Sequence, residues 1–293
     1  MAPIELTADR LRELPLPLPE AGSKEERGTL LVVGGSIELP GAALLAGTAA
    51  LRAGAGRLRI ATAASVAVAM AVAMPEARVV GLPEDEGGEI DAGRAEVQVS
   101  GLAKKCDAIL IGTGMGSSGG TRALTLDLLA RHASSLVLDA GALGGLRENA
   151  DAMRSRSGHC ILTPHAGEMA GLLDIDRDAV ETDPAGAALE AAGLLQAVVV
   201  MKGAETWIVN PEGERWHYAG GGVGLATSGS GDVLAGLIAG LLARGAGPVR
   251  AAIWSVFLHG EAGARLARSV GPLGFLAREI AAEVPRLLAE IGG

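Results

Sequence analysis

The sequence predicts an α/β fold: a three-layer arrangement with a mostly parallel central sheet, helices on both faces and an antiparallel hairpin near the C-terminal third. Three observations predict it. Short β-branched or apolar runs recur along the chain, namely TLLVVGG (29–35), RLRIAT (57–62), ARVVGL (77–82), DAILIG (107–112), SLVLDA (135–140), CILTP (160–164) and AVVVMKG (197–203). They read as strands, most of them buried on both faces. Ala- and Leu-rich stretches of helical length lie between them, as at 41–56, 65–74, 121–131 and 183–195, and that alternation is the pattern of a covered parallel sheet. ETWIVNPEGERWHYAG (205–220) then places two strand-like runs around an Asn-Pro-Glu-Gly turn, an antiparallel hairpin. Three helices close the chain at 232–243, 248–268 and 276–291, with glycines at 245–247 and 271–274 as punctuation.

The 293 residues suit one large α/β domain over 28–293, preceded by a lead-in, 1–27, whose LPLPLPE and SKEERG stretches suggest a surface-lying segment. The chain is 49% hydrophobic but only 2% aromatic, so its interior is built from Ala, Val, Leu and Ile at close backbone distances, which the 44 glycines permit. No apolar run reaches the roughly 18 uncharged residues of a membrane span, and the amino terminus lacks the basic start and apolar middle of a signal peptide. A soluble cytoplasmic protein is expected. Cys106 and Cys160 each sit in an apolar stretch, as small buried hydrophobes do, rather than as a disulfide framework or a metal site. The net charge of -9 and the lack of a basic run argue against a nucleic-acid surface. A small anion can still be bound through backbone N–H groups and helix dipoles.

Ligands of open parallel sheets collect beyond the carboxyl ends of the strands. Six loops there are unusual: GGS (34–36), GTGMGSSGG (112–120), DAGAL (139–143), TPHAGE (163–168), KGAET (202–206) and GLATSGSGD (224–232). The second contains a formal G-x-G-x-x-G at 114, 116 and 119, with Asp139 at about the spacing of a ribose-binding acid. A dinucleotide fold presents that fingerprint at its first strand, whereas here it follows at least three, and a glycine-rich chain makes chance matches easy. A tight strand-to-helix turn is the alternative.

Asp232 is the most informative residue. Glycines at 229 and 231 let successive N–H groups of Gly229, Ser230 and Gly231 point into one concavity, and the helix beginning nearby adds the positive end of its dipole. An anion site results without a cation. There is no G-x-x-x-x-G-K-[ST] sequence, so this is not a P-loop. Asp232 can be read as a helix cap, contributing about 1 kcal/mol, yet a cap needs no run of glycines before it. A carboxylate beside a bound phosphoryl group can instead accept the proton of an attacking hydroxyl.

With TPHAGE, KGAET and ATSGSGDVLAG in this order, the chain resembles the NAD(P)H-hydrate dehydratases, the carbohydrate-kinase-related half of the YjeF-type repair proteins, on the ribokinase-like fold. LLVVGGS, DAILIGTGMG, VLDAGAL, FLHGEAGARLA and GPLGFLAREI extend the resemblance over about 28–288. It implies a repair lyase that uses ADP or ATP with Mg²⁺ to remove the C6 hydroxyl of NADHX or NADPHX. Asp232 would deprotonate that hydroxyl as it takes a phosphoryl group. Phosphate then leaves, and loss of a proton restores NAD(P)H.

Carried over by position, Ala42, Gly114, Gly116, His165 and Asp232 would contact the hydrate. Lys202, Gly203, Ala204, Glu205 and Thr206, with Gly229, Ser230 and Gly231, would hold the adenine nucleotide. Each has a plainer reading. Ala42 can simply start a helix, His165 can be a turn residue, and Lys202 can be the charged end of an apolar strand. Glu168 caps the helix after His165 or helps to hold Mg²⁺ through water. Two positions depart from the pattern: Gly141 in DAGAL stands where a second acid is expected, which could change how a polar ligand group is held, and Thr113 stands where proline is usual, which should only alter a turn. The resemblance further implies a separate NAD(P)HX epimerase as functional partner and a homotetramer. The rival readings are a small-molecule kinase of the same fold, such as a hydroxyethylthiazole-type or vitamin kinase, and a nucleotide-binding module without catalysis.

Overall fold

Among residues 2–18 and 26–292, which the computed structural model describes, the apolar runs form ten strands of one sheet. They are β1 (Ile4–Glu5), β2 (Thr29–Val33), β3 (Arg57–Ala63), β4 (Ala77–Leu82), β5 (Ala108–Ile111), β6 (Ser135–Leu138), β7 (Cys160–Leu162), β8 (Val198–Met201), β9 (Thr206–Val209) and β10 (Arg215–Tyr218). Their order is β1-β10-β9-β8-β7-β6-β5-β2-β3-β4. Neighbours are parallel except β8–β9 and β9–β10, so the expected hairpin extends the parallel sheet at one side. The crossovers carry the helices: α1 (Ala8–Arg12), α2 (Pro40–Arg52), α3 (Ala64–Ala73), α4 (Ala92–Ala103), α5 (Gly119–Arg131), α6 (Ala150–Arg154), α7 (Ala166–Leu173), α8 (Arg177–Thr182) and α9 (Pro184–Leu195). After the hairpin come α10 (Ser230–Ala243), α11 (Pro248–Ser269) and α12 (Ala277–Gly292).

Alternate side chains of each central strand enter opposite cores, as the period of two requires. Leu30, Val32, Leu58, Ile60 and Leu110 pack with α2, α10, α11 and α12, while Leu31, Val33, Ile109, Ile111 and Leu138 pack with α4, α5, α7 and α9. Both faces of β2 and β5 are therefore apolar. Cys106 and Cys160 are buried free thiols, and burial pushes Cys160 up to about 12. Among the described residues no helix is long and apolar enough to cross a membrane.

Two glycines fix the helix that matters most. A Cβ at Gly236 would meet the Ala46 carbonyl oxygen of α2, and one at Gly240 would come within 2.6 Å of the Ala50 carbonyl oxygen. The backbones of α10 and α2 thus pack directly on each other, which holds their N-terminal ends on the same side of the sheet. Gly→Ala in a helix interior ordinarily stabilises by about 1 kcal/mol, but here the added methyl strikes main chain. We expect Gly236→Ala to destabilise by about 1–3 kcal/mol, read from the urea midpoint; a midpoint at or above that of the unaltered protein would contradict this packing.

The lead-in does more than lie on the surface. Ile4 and Glu5 pair with Trp216 and His217 of β10, and Leu6 and Leu11 are buried in the core that holds α10. Trp254 Nε1 donates to the Leu14 carbonyl at 2.7 Å, and Arg244 donates to that of Pro17. The leucines of this segment find apolar partners on α11 and α12, which a reading of its prolines and charges alone does not reveal. The end of LPLPLPE and the start of SKEERG, residues 19–25, lie outside the described residues.

Candidate active site

The glycine-rich loop before α10 sets the first feature. Gly229 takes φ +88° at the N-cap, a left-handed conformation that an L side chain would strain, and no side chain caps the helix. The first N–H groups of a helix have no intrahelical partner; that of Ser230 is taken by the Thr227 carbonyl at 3.2 Å, so the main-chain donors at the mouth of α10, beside the positive end of the dipole, are those of Gly229 and Gly231 rather than all three expected. The helix begins at Ser230, and Asp232 is its third residue. The cap position belongs to Gly229, which removes the reading of Asp232 as an N-cap.

A charged cluster faces this mouth. Lys202 follows β8, and its backbone N–H donates to the Pro164 carbonyl at 2.8 Å, tying the KGAET loop to the TPHAGE loop. Its ammonium lies 3.2 Å from Asp139 Oδ1 and 3.8 Å from Glu168 Oε2. It also covers Gly231, where a Cβ would come within 3.4 Å of Nζ. Asp139 is only 3% exposed; it accepts from Thr163 Oγ1 at 2.6 Å and from Thr113 Oγ1 at 3.2 Å. The loops after β5, β6, β7 and β8 therefore converge on one carboxylate.

Electrostatics follow from this crowding. Burial is the main cause that lifts Asp232 from its ordinary value to about 6; Asp139 and Glu168 push it further up, and Lys202 opposes them. For Lys202, burial disfavours the charge, but Asp139, Glu168 and Asp232 together outweigh it and hold the ammonium above its usual range. An acid titrating near 6 is ionised at neutral pH and still basic enough to take a proton.

Beside the cluster opens a cleft of about 730 Å³, whose lining includes His165, Arg177, Lys202, Gly203, Glu205 and Trp207. Thr206 opens β9 behind it. Gly229, Ser230, Gly231 and Asp232 do not line this cleft; Lys202, which does, is also the residue whose ammonium lies against Gly231. Ala42, Gly114 and Gly116 form a third group. A Cβ at Gly114 would come within 2.7 Å of the Ala42 methyl, so the GTGMG loop rests on the N-terminal turn of α2.

A family model described as NAD(P)H-hydrate dehydratase matches residues 30–286. The chain belongs to the NAD(P)H-hydrate dehydratase family. Among individual relatives, the ADP-dependent (S)-NAD(P)H-hydrate dehydratase of Xanthomonas campestris is 51% identical over 97% of this chain and 95% of its own length. The bifunctional NAD(P)H-hydrate repair enzyme of Moorella thermoacetica is 38% identical over 94% of this chain, which spans about half (52%) of that relative. The crystal structure of the Bacillus subtilis ADP/ATP-dependent NAD(P)H-hydrate dehydratase, co-crystallized with ATP/Mg²⁺, superposes with a TM-score of 0.84 at 30% identity, covering 99% of each chain. The fold is ribokinase-like.

Thr113 and Gly141, the two positions set apart in the sequence, have structural consequences. Thr113 does more than alter a turn: its buried hydroxyl donates to Asp139, a bond that proline could not make. Gly141 is enclosed by the carbonyl oxygens of Met115 and Gly116, 2.5 and 2.6 Å from where its Cβ would stand, so an acid there would have to displace the GTGMG loop. His165 is no mere turn residue. It caps α7, with Nδ1 accepting from the N–H groups of Gly167 and Glu168 at 3.0 and 3.2 Å, which leaves the proton on Nε2. Glu168 returns the bond by accepting from the His165 N–H at 2.8 Å.

Those partners bear on the metal. Glu168 is committed to the His165 N–H and to Lys202, and Asp139 to two hydroxyls and Lys202. Among the described residues no group of three or more His, Cys, Asp or Glu could hold a metal ion. With its carboxylates engaged in this way, the donor set suits a hydrated Mg²⁺ carried on nucleotide phosphates better than a cage of protein ligands. Asp139 is the residue that sequence reasoning missed in this role, having considered it only as a ribose-binding acid. The available signal was a row of polar residues just past successive strands, Thr113, Asp139, Thr163 and Lys202.

Proposed function

We propose that this chain is an ADP-dependent (S)-NAD(P)H-hydrate dehydratase, a carbon–oxygen lyase that repairs NADHX and NADPHX. ATP serves in place of ADP when it is the available donor. The observation that carries this reading is Asp232, a carboxylate raised to about 6 at the open N-terminus of a buried helix whose cap is glycine.

The nucleotide lies along the Lys202–Thr206 loop with its terminal phosphate beside Ser230, at the N–H groups of Gly229 and Gly231. The nicotinamide end of the hydrate lies toward Ala42, Gly114, Gly116 and His165, which presents its Nε2–H. Asp232 takes the proton of the C6 hydroxyl while that oxygen bonds the terminal phosphorus and the bond to the leaving nucleotide breaks. The ring nitrogen's lone pair expels phosphate from C6, and loss of a proton from C5 restores the double bond. ADP leaves as AMP, or ATP as ADP. Lys202, held by Asp139, neutralises charge gathering on the transferred group. When bound, Mg²⁺ supplies charge neutralisation at the phosphates.

The test is to incubate the protein with NADHX, Mg²⁺ and ADP, following reduced-nicotinamide absorbance, AMP and phosphate together. Recovery of one NADH for each AMP and phosphate supports the proposal. No recovery with either ADP or ATP overturns it, as does accumulation of a stable phosphorylated alcohol, the product of a kinase.

The reading includes a cytoplasmic protein working with a separate NAD(P)HX epimerase, since an S-specific dehydratase leaves the other epimer. It also includes a homotetramer. Helix α3, ASVAVAMAVA, carries no charge and exposes Val68 and Val72 at 77% and 79%, an apolar face suited to a second copy. Sedimentation at working concentration measures this directly; a monomer contradicts it.

A further inference from the structure

β1 and β10 bring Glu5 opposite His217, and a second carboxylate approaches the same ring. His217 Nδ1 lies 2.8 and 3.0 Å from the two oxygens of Glu5, and Nε2 lies 2.9 Å from Glu205 Oε2. Ionised carboxylates only accept, and a neutral imidazole has one N–H to give. Both bonds at once require both ring nitrogens to carry protons, so the geometry is that of an imidazolium shared between two acids. Its plane stacks on Trp207 with centroids 4.3 Å apart at 29°, a placement in which the ring cation also favours the indole face. Glu205 and Trp207 both line the 730 Å³ cleft.

The charged groups that bear on His217 are Glu5 from β1 and Glu205 from the loop between β8 and β9, while Trp207 of β9 covers its face. Burial lowers the imidazole's pKa, but the hydrogen bonds to Glu5 and Glu205 outweigh it and raise the pKa above its ordinary value. Only 12% of the His217 side chain is exposed, against 60% for Glu5 and 55% for Glu205. The central member of the bridge is thus the sheltered one.

We propose that His217, clamped by Glu5 of the amino-terminal strand, is a positioning residue that holds Glu205 and Trp207 at the cleft wall and so sets affinity for the adenine nucleotide. This rests on the nucleotide occupying that cleft. When the imidazolium loses its proton, one of the two carboxylates faces a ring lone pair and is released. Glu205 is then an unneutralised negative charge beside an incoming polyphosphate, and Trp207 loses the cation behind it. Nucleotide binding therefore weakens as pH rises through the His217 titration.

Calorimetric titration of ADP into the unaltered protein, Glu5→Gln and His217→Gln between pH 6 and 9 tests this. Loss of one charge-assisted bond corresponds to about tenfold or more in affinity. We expect ADP affinity of the unaltered protein to fall by about that factor across the range, beyond the titration of the phosphate that all three share. In Glu5→Gln the fall should begin at lower pH. In His217→Gln affinity should be weak throughout, without the extra pH dependence, while NADHX affinity in the same variant is retained. His217→Gln matching the unaltered protein at every pH overturns the clamp and leaves the nucleotide site standing. Equal loss of ADP and NADHX affinity marks general loosening and overturns it too. ADP failing to bind the unaltered protein overturns the clamp and the nucleotide reading together.

Discussion

Asp232→Asn is expected to lower turnover of NADHX by about 10²- to 10⁴-fold, the range that a positioned general base contributes, while leaving ADP affinity nearly unchanged. The amide cannot take the hydroxyl proton, but the N–H groups at the mouth of α10 are main chain and survive the substitution. The pH profile provides a second reading. Asp232 must be ionised to act, so kcat/KM should fall with an inflection near pH 6, the value to which burial and Asp139 raise it. That limb should vanish in the variant.

Stability should move the opposite way. A carboxyl whose folded pKa exceeds its unfolded one penalises the fold once ionised: the penalty is absent below about pH 4, grows as pH rises through the interval to about 6, and is complete above it. The isosteric amide removes that penalty. Asp232→Asn should melt a few degrees higher at pH 7, the gap closing toward pH 4. A variant that loses both activity and stability at pH 7 would mean that the acid is structural.

Asp139→Asn carries the other large effect. Asp139 accepts from Thr113, Thr163 and Lys202; without its charge, Lys202 is left with Glu168 at 3.8 Å as its remaining close ion partner. Removing one member of a buried pair costs about 3–5 kcal/mol, which a denaturant titration reads directly. The site should respond as well. Asp139 raises Asp232 and restrains Lys202, so its loss should shift the acid limb of the pH profile to lower pH. A stability loss with no shift would mean that Asp139 does not communicate with Asp232.

The parts that were legible in the sequence are those fixed by local chemistry. TLLVV and AILI are apolar on both faces because both faces of their strands are covered, and that shows in the letters. The glycines before Asp232 announce a backbone mouth because few other tasks require them. The loops that hold Thr113, Asp139, Thr163 and Lys202 stand out in the sequence, but not the meeting of these four side chains; only the parallel order β5-β6-β7-β8 brings them together. The lead-in was obscured for a different reason. Its strand is two residues long, too short for any period, and its leucines reveal their purpose only once α11 and α12 are in place.

Main-chain amides at the mouth of α10 should grip a transferable phosphate beside Asp232. A crystal structure with ADP and NADPH bound together addresses it most directly. The terminal phosphate is expected against the N–H groups of Gly229 and Gly231, with the Asp232 carboxylate turned toward C6 of the nicotinamide. A terminal phosphate bound elsewhere, or an Asp232 carboxylate directed away from the nicotinamide, would contradict it.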